Sequence, residues 1–355
     1  MIGISLLTLV PGLSGGSETY ARELCRTLAG VGELRYRVFV PEIAPEASDG
    51  LPSSVVTRYR ASRTMPGRIA AMSLAATHPG PLRRALELER LDAIHFPLSV
   101  MLPPVERPPA VTTVLDLQHE EYPEFFGRAE LAYRKAVYRR AIRRSRMVIT
   151  ISEHARETLI ERFRLSPDRV RAIPLGVDTT VFTPGDNVSR GEFLLYPARP
   201  WRHKNHARLY DAFAQLRTER PKLRLVLTGA GDFGTLPEGV ERRGLVSRHE
   251  LVDLYRRAAA LVFPSLYEGF GMPVVEAMAC GCPVACSNTT SLPEVAGDAA
   301  RLFDPRDVDD TVAAVDEVLD DPQPWIVRGL ERARRYTWEA CAGSHDDVYR
   351  ALSSG

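Results

Sequence analysis

The chain has 355 residues, 45% hydrophobic and 26% charged, with a net charge of +1. That length holds two ordinary domains, each with its own core; the composition excludes a disordered or fibrous chain, and the near-neutral balance gives no sign of nucleic acid as a partner. No run approaches about 20 uninterrupted apolar residues, so no transmembrane helix is expected.

In chain order, "IGISLLTLV" reads as a buried parallel strand. It lacks the basic lead and cleavage site of a secretory signal. "PGLSGGSE" is a glycine turn carrying Gly15 and Gly16, and "TYARELCRTLAG" an amphipathic helix that closes at Gly30. Strand candidates follow at "RYRVFV", "AIHF", "VTTVLD" and "MVITIS", several of them separated by helical patterns. That alternation predicts a doubly wound α/β domain over residues 1–178. Residues 179–191 are rich in Gly, Pro, Thr and Asp and read as a linker.

A second series fills residues 192–335: the strands "EFLLYPA", "LRLVLTGAG", "ALVFPS" and "CPVACS" alternate with the helices "HARLYDAFAQLRTE", "RHELVDLYRRA" and "PVVEAMACG". From about residue 305 the chain is helical, and residues 336–355 are expected to pack back on the first domain. The expected fold is α/β, two Rossmann-like domains with ligand sites at the carboxyl ends of their strands. Facing each other, they would frame a cleft.

Five cysteines are present, and Cys280, Cys282 and Cys286 fall in a small-residue run with no His or Asp at ligand spacing. They read as small buried apolar residues, and the odd count without a framework fits a reducing cytosol. The sequon Asn187-Val188-Ser189 carries no meaning without export.

The informative stretch is "YEGFGMPVVEAMACGCPV", which sets Glu268 and Glu276 around Gly269, Phe270, Gly271, Met272 and Pro273. Proline suits a helix start, so a loop runs into a helix whose free N–H groups form an anion site, and glycines let the backbone approach a ligand closely. Glu276 would lie in the first helical turn. An ionised carboxylate only accepts hydrogen bonds, so each glutamate suits a pair of hydroxyls. Two such carboxylates around a phosphate site describe a nucleotide sugar. A loop-capping Glu268 and a solvated Glu276 are equally compatible with the spacing.

Four segments in register resemble the retaining glycosyltransferase family 4, across nearly the whole chain. "GGSETYARELCRTL" is similar to its N-terminal glycine loop, "YPARPWRHKNH" to its phosphate-binding segment, the paired glutamates to its E-x7-E signature, and "SNTTSLPEVAGDAARLFDP" to the segment on the carboxyl side of that signature. The resemblance implies the GT-B fold and transfer of a hexose, with retention, from a nucleoside diphosphate sugar such as a GDP-mannose-like or UDP-sugar donor. It implies no metal and no other cofactor. Glu268 would bind the donor sugar, Glu276 the ribose, backbone groups of Gly269 to Met272 sugar and phosphate oxygens, and Arg199 and Lys204 the diphosphate. Gly15 and Gly16 would border the diphosphate and acceptor, and Val246 in "RRGLVSRHEL" would meet the base. The family often carries a histidine near the reacting carbon. Here Leu115 takes that place, and either His119 or Asp116 would serve. The "DLQHEEYPEFF" form resembles a mannosyltransferase-like subgroup serving O-antigen and exopolysaccharide.

No residue is an obvious covalent nucleophile, and the resemblance implies front-face attack with the departing phosphate as base. Asp307-Val308-Asp309 has the letters of a metal motif but lies in the acidic tail and reads as surface. Eight basic residues lie between Arg128 and Arg146 with apolar residues interleaved. Such a helix suits a solvated face or contact with anionic lipid. The expected partners are the donor and a glycan, lipid-linked or small-molecule acceptor, the site cytoplasmic, with peripheral attachment to the inner face of the membrane through that helix. Two rivals are compatible with the same residues: a nucleotide-sugar epimerase or hydrolase on the same fold, and a non-catalytic sugar-nucleotide-binding module.

Overall fold

The computed structural model describes residues 1–13, 15–185 and 188–353. Ser14, Asp186 and Asn187, the last being the sequon asparagine, lie outside the described residues. The chain divides into two compact units, Met1–Gly176 with Trp338–Gly355, and Val177–Thr337.

In the first unit the strands are β1 (Ile2–Ser5), β2 (Tyr36–Pro41), β3 (Ser53–Val56), β4 (Ala93–Phe96), β5 (Ala110–Val114), β6 (Met147–Thr150) and β7 (Val170–Ala172). They pair in the order β3-β2-β1-β4-β5-β6-β7, all parallel. The order reverses between β1 and β4, which makes their carboxyl ends the switch point of the sheet. β1, β4 and β5 are buried throughout, as strands covered on both faces are, with His95, Thr112 and Thr113 as buried polar members.

The second unit repeats the plan with β8 (Phe193–Pro197), β9 (Arg224–Thr228), β10 (Val240–Gly244), β11 (Ala260–Phe263), β12 (Val284–Ser287) and β13 (Arg301–Phe303). Their order is β10-β9-β8-β11-β12-β13, again parallel, with the switch point between β8 and β11. The fold class is the expected pair of Rossmann-like doubly wound sheets. Segment 179–191, linker-like in composition, packs on this unit where it is described. Phe182 is buried against Tyr255, and Arg256 Nε donates to Thr183 O at 2.7 Å. Arg190 donates to Ala258 O at 2.8 Å and to Gly281 O.

The last helix, Trp338–Ser353, belongs to the first unit and packs along the helix Gly16–Val31. A buried hydrogen-bond chain fixes it there. His345 Nδ1 faces the carbonyl of Cys341 at 2.8 Å, so that nitrogen carries the proton and Nε2 accepts from Tyr20 OH at 2.8 Å. Tyr20 in turn accepts from Thr113 Oγ1 at 2.8 Å. Thr113 then accepts from His95 Nε2 at 2.8 Å, which leaves His95 Nδ1 to accept from Tyr349 OH at 2.7 Å. One backbone carbonyl thus sets the direction of every proton in the chain.

Candidate active site

In the second unit the sequence places functional side chains on the loops after the two strands that flank the switch point. After β8 the chain makes a short turn, Arg202–Lys204, and Asn205 adopts a left-handed conformation, φ 59°. Asn205 is buried, and its amide donates to Pro264 O at 3.1 Å and Pro305 O at 2.7 Å. Leu266 N donates to His203 O at 2.8 Å. The loops after β8 and β11 are therefore joined through backbone before any ligand arrives.

Across that join Lys204 Nζ donates to Glu268 Oε1. The two side chains are only 13% and 12% exposed. Tyr196 OH donates to Lys204 O at 2.5 Å and orients its backbone. Glu268 is held from behind: its N–H donates to Thr290 Oγ1 at 3.0 Å, and Ser291 Oγ donates to Glu268 O and Phe270 O, each at 3.0 Å. Arg199, half-buried, lies with its guanidinium 5.5 Å from the centre of the Trp201 ring. Burial, and next the Lys204 charge, push the His203 imidazole down to about 4, so it is neutral near pH 7.

The glycine loop ends at Gly271, φ 104°, which caps the helix Met272–Ala279 with no side chain. A Cβ here would sit 2.6 Å from Leu292 Cδ2, and the positive φ itself disfavours any other residue. The first N–H groups of that helix have no intrahelical partner. Glu276 does not lie in the first turn, as the spacing suggested. The helix starts at Met272, one residue before Pro273, and puts Glu276 at its fifth position, where the helix-end field has weakened. The side chain is half-buried and accepts from Tyr255 OH at 3.0 Å. Burial pushes its carboxyl up to about 7, against the Tyr255 hydrogen bond and the Arg248 charge, which both favour the ionised form. Val246 is partly exposed on the loop after β10, beside Leu245, which is 76% exposed.

The remaining candidates fall in the first unit. Gly15 caps the helix Gly16–Val31 with φ 50°, and both Gly15 and Gly16 are exposed with open space where a Cβ would stand. Glu18 accepts from Gly12 N at 2.8 Å and so shapes the loop. Asp116 is half-buried two residues beyond β5, accepting from Gln118 N at 3.3 Å. His119 is fully buried, with rings of Tyr138 and Phe126 at 4.6 and 6.5 Å, and among the described residues neither of its ring nitrogens makes a hydrogen bond. Burial, then Arg134, Lys135 and Arg162, push it down to about 4. His119 thus has no exposed surface here, whereas Asp116 has some.

Comparison with known proteins decides the family. The chain is 31% identical over 275 residues to O-antigen chain mannosyltransferase B of Escherichia coli, across 68% of this chain and 70% of that protein. It belongs to the family 4 glycosyltransferases. The family model "Glycosyltransferase Family 4" matches residues 14–181 of this glycosyltransferase, and "Glycosyl transferases group 1" matches residues 182–337. It is also 31% identical over 227 residues to the MMP alpha-(1->4)-mannosyltransferase of Mycolicibacterium hassiacum, across 59% of this chain and 55% of that one. Among solved structures, sucrose-phosphate synthase from Thermosynechococcus elongatus superposes with a TM-score of 0.79 at 21% identity over 99% of both chains. Anabaena HepE, solved with UDP and glucose, gives 0.70 at 17% identity, also over 99% of both. These two carry the fold, GT-B, and no more.

Several residues of this glycosyltransferase carry no mark in the sequence. Tyr255, Thr290 and Ser291 bond to the glutamates or the loop that carries them, yet they are 21 to 23 positions away in sequence. No short-range pattern marks such partners; only "SNTTSLPE" stands out, through resemblance. The Asp307-Val308-Asp309 letters have a structural reading: Asp307 Oδ1 caps the helix Val308–Asp320, accepting from Asp309 N at 2.9 Å and Asp310 N at 3.1 Å. All five cysteines are unpaired and buried, and burial pushes the thiols of Cys280, Cys282 and Cys286 up to about 12.

Proposed function

We propose that this glycosyltransferase moves mannose or a related hexose, with retention and without a metal, from a nucleoside diphosphate sugar to a hydroxyl of a glycan, lipid-linked or small-molecule acceptor. The observation that carries this reading is the Lys204–Glu268 pair across the β8/β11 switch point, with Glu276 in the helix beyond it. Lys204 and Arg199 suit the diphosphate, Glu268 the hexose hydroxyls and Glu276 the ribose. When donor binds, the diphosphate replaces Glu268 as the partner of Lys204, and the freed carboxylate turns to the sugar. The Lys204 and Arg199 contacts strengthen as the leaving diphosphate gains charge. Backbone groups of Gly269 to Met272 hold phosphate and sugar oxygens, Val246 faces the base, and Gly15, Gly16 and Asp116 serve the reacting end.

Mannose is favoured because relatives at 31% identity carry mannosyltransferase names. A lipid-linked acceptor is favoured by the helix Arg128–Arg144, which leaves Arg139, Arg140, Arg143 and Arg144 exposed. Such a face suits an anionic membrane surface, and co-sedimentation with anionic but not neutral vesicles tests it. Among the described residues no helix is long and apolar enough to cross a membrane.

The first test is thermal unfolding in EDTA with GDP, UDP, ADP, dTDP and their hexoses. A ligand at about 100 times its dissociation constant adds about 2.7 kcal/mol. One nucleotide is expected to raise the midpoint and so name the base. No shift with any of them, with or without magnesium or manganese, would sink the proposal; a shift only with metal would remove its metal-free clause.

A further inference from the structure

We infer that Tyr255 is a positioning residue for the donor: its hydroxyl fixes one oxygen of Glu276 so that the other faces the ribose. The inference rests on the assignment of Glu276 to the ribose made above.

Tyr255 lies on the helix Arg248–Arg257 and is fully buried. Its OH donates to Glu276 Oε2 at 3.0 Å. Among the described residues no protein donor reaches Oε1, although the carboxylate is half-buried. A vicinal diol presents two O–H donors, and the open oxygen together with the remaining lone pair of Oε2 accepts both. Tyr255 therefore occupies an acceptor site on the carboxylate that a ribose diol does not need.

The tyrosine is itself backed by the segment that enters this unit. Phe182 packs edge-on against its ring, with centroids 6.3 Å apart. Arg248 lies over Phe182 at 5.3 Å and pairs with Asp178 at 3.2 Å. The groups facing Glu276 are thus Tyr255 and Arg248 from one helix and Cys280 from its own, the last a thiol pushed up to about 12 and so neutral. Burial opposes the ionised form of Glu276, and Tyr255 and Arg248 support it. Removing the Tyr255 hydroxyl removes part of that support.

A nucleotide sugar has no phosphate that titrates near neutrality, so its binding reports on Glu276. Calorimetric titration from about pH 5.5 to 8.5 uses whichever of GDP-mannose, UDP-glucose, ADP-glucose and dTDP-glucose the wild-type protein binds most tightly. Wild-type affinity is expected to rise through a midpoint near pH 7, where Glu276 ionises. Tyr255→Phe is expected to move that midpoint to higher pH and to weaken binding about 3- to 10-fold at neutrality, with the deficit shrinking as pH rises. A purely structural role would give the same deficit at every pH. Glu276→Gln is expected to bind weakly without a pH dependence, and adding Tyr255→Phe to it to change nothing further.

The outcomes separate the claims. If Glu276→Gln binds like the parent at every pH, or if none of the four sugars binds, the ribose assignment fails and the inference with it. If Glu276→Gln weakens binding while Tyr255→Phe matches the parent in affinity and midpoint, only the role of Tyr255 falls. Should Tyr255→Phe fail to fold, Phe182→Leu, which loosens the same ring, is expected to shift the midpoint in the same direction, and an unchanged midpoint overturns the inference.

Discussion

At the scale of single residues, the Lys204–Glu268 pair has two consequences that separate stability from turnover. Both partners are mostly buried, so Lys204→Ala leaves a carboxylate with neither a cation nor full hydration. A loss of about 2–4 kcal/mol is expected in urea denaturation, and Lys204→Ala with Glu268→Ala together is expected to lose less than the sum of the single changes. Glu268→Ala alone is expected to remove transfer while nucleoside diphosphate still binds, as measured by turnover beside calorimetry. Gly271→Ala is expected to lower stability by about 1–2 kcal/mol, because its φ of 104° disfavours any Cβ and Leu292 must move. The spacing of Glu268 and Glu276 around glycines is legible from sequence because both carboxylates sit on one loop and the helix it feeds. Burial is not legible. Nothing in "DLQHEEY" shows that His119 sits inside an aromatic cluster while Asp116 stays half-exposed.

At the scale of elements, the terminal helix Trp338–Ser353 is held by groups whose protonation is fixed. His345 is pushed down to about 4 by burial, opposed by its bond to Cys341 and the charge of Asp346. Burial, and then its neighbour His345, hold His95 well below the ordinary histidine range. Both folded values are depressed, so the unfolded chain takes up protons first as pH falls below about 6.5. Stability is therefore fully present above that pH. It is expected to fall by up to about 1.4 kcal/mol per pH unit per histidine between about pH 6.5 and the folded values. Urea denaturation at pH 7.5 and 5 measures the slope, and Thr113→Val, which breaks the middle link of the chain, is expected to lower stability at both. Elements differ in how plainly the sequence announces them. β1, β8 and β11 are interior strands and write themselves as largely apolar runs. The edge strands β3 "SSVV", β7 "VRA" and β10 "VERRG" are partly exposed, so they carry no such run and escape a reading by periodicity.

At the scale of the whole molecule, two Rossmann-like units derive from two successive strand-and-helix series, and that much is legible. Which unit owns segment 179–191 is not, because Gly, Pro and Asp mark irregular backbone without saying what it packs on. The long-range bonds of Arg190 and the packing of Phe182 decide it. The second unit is one uninterrupted stretch, Val177–Thr337. Expressed alone, residues 177–337 are expected to unfold cooperatively and to bind the same nucleotide as the full chain, by circular dichroism and calorimetry. The first unit, by contrast, borrows its last helix from beyond the second. On a ribosome, where chain emerges in order, the sheet that is made first is therefore finished last. Until residues 338–353 arrive, Tyr20 and His95 wait with their polar groups incompletely paired, while the second unit already has every residue it needs.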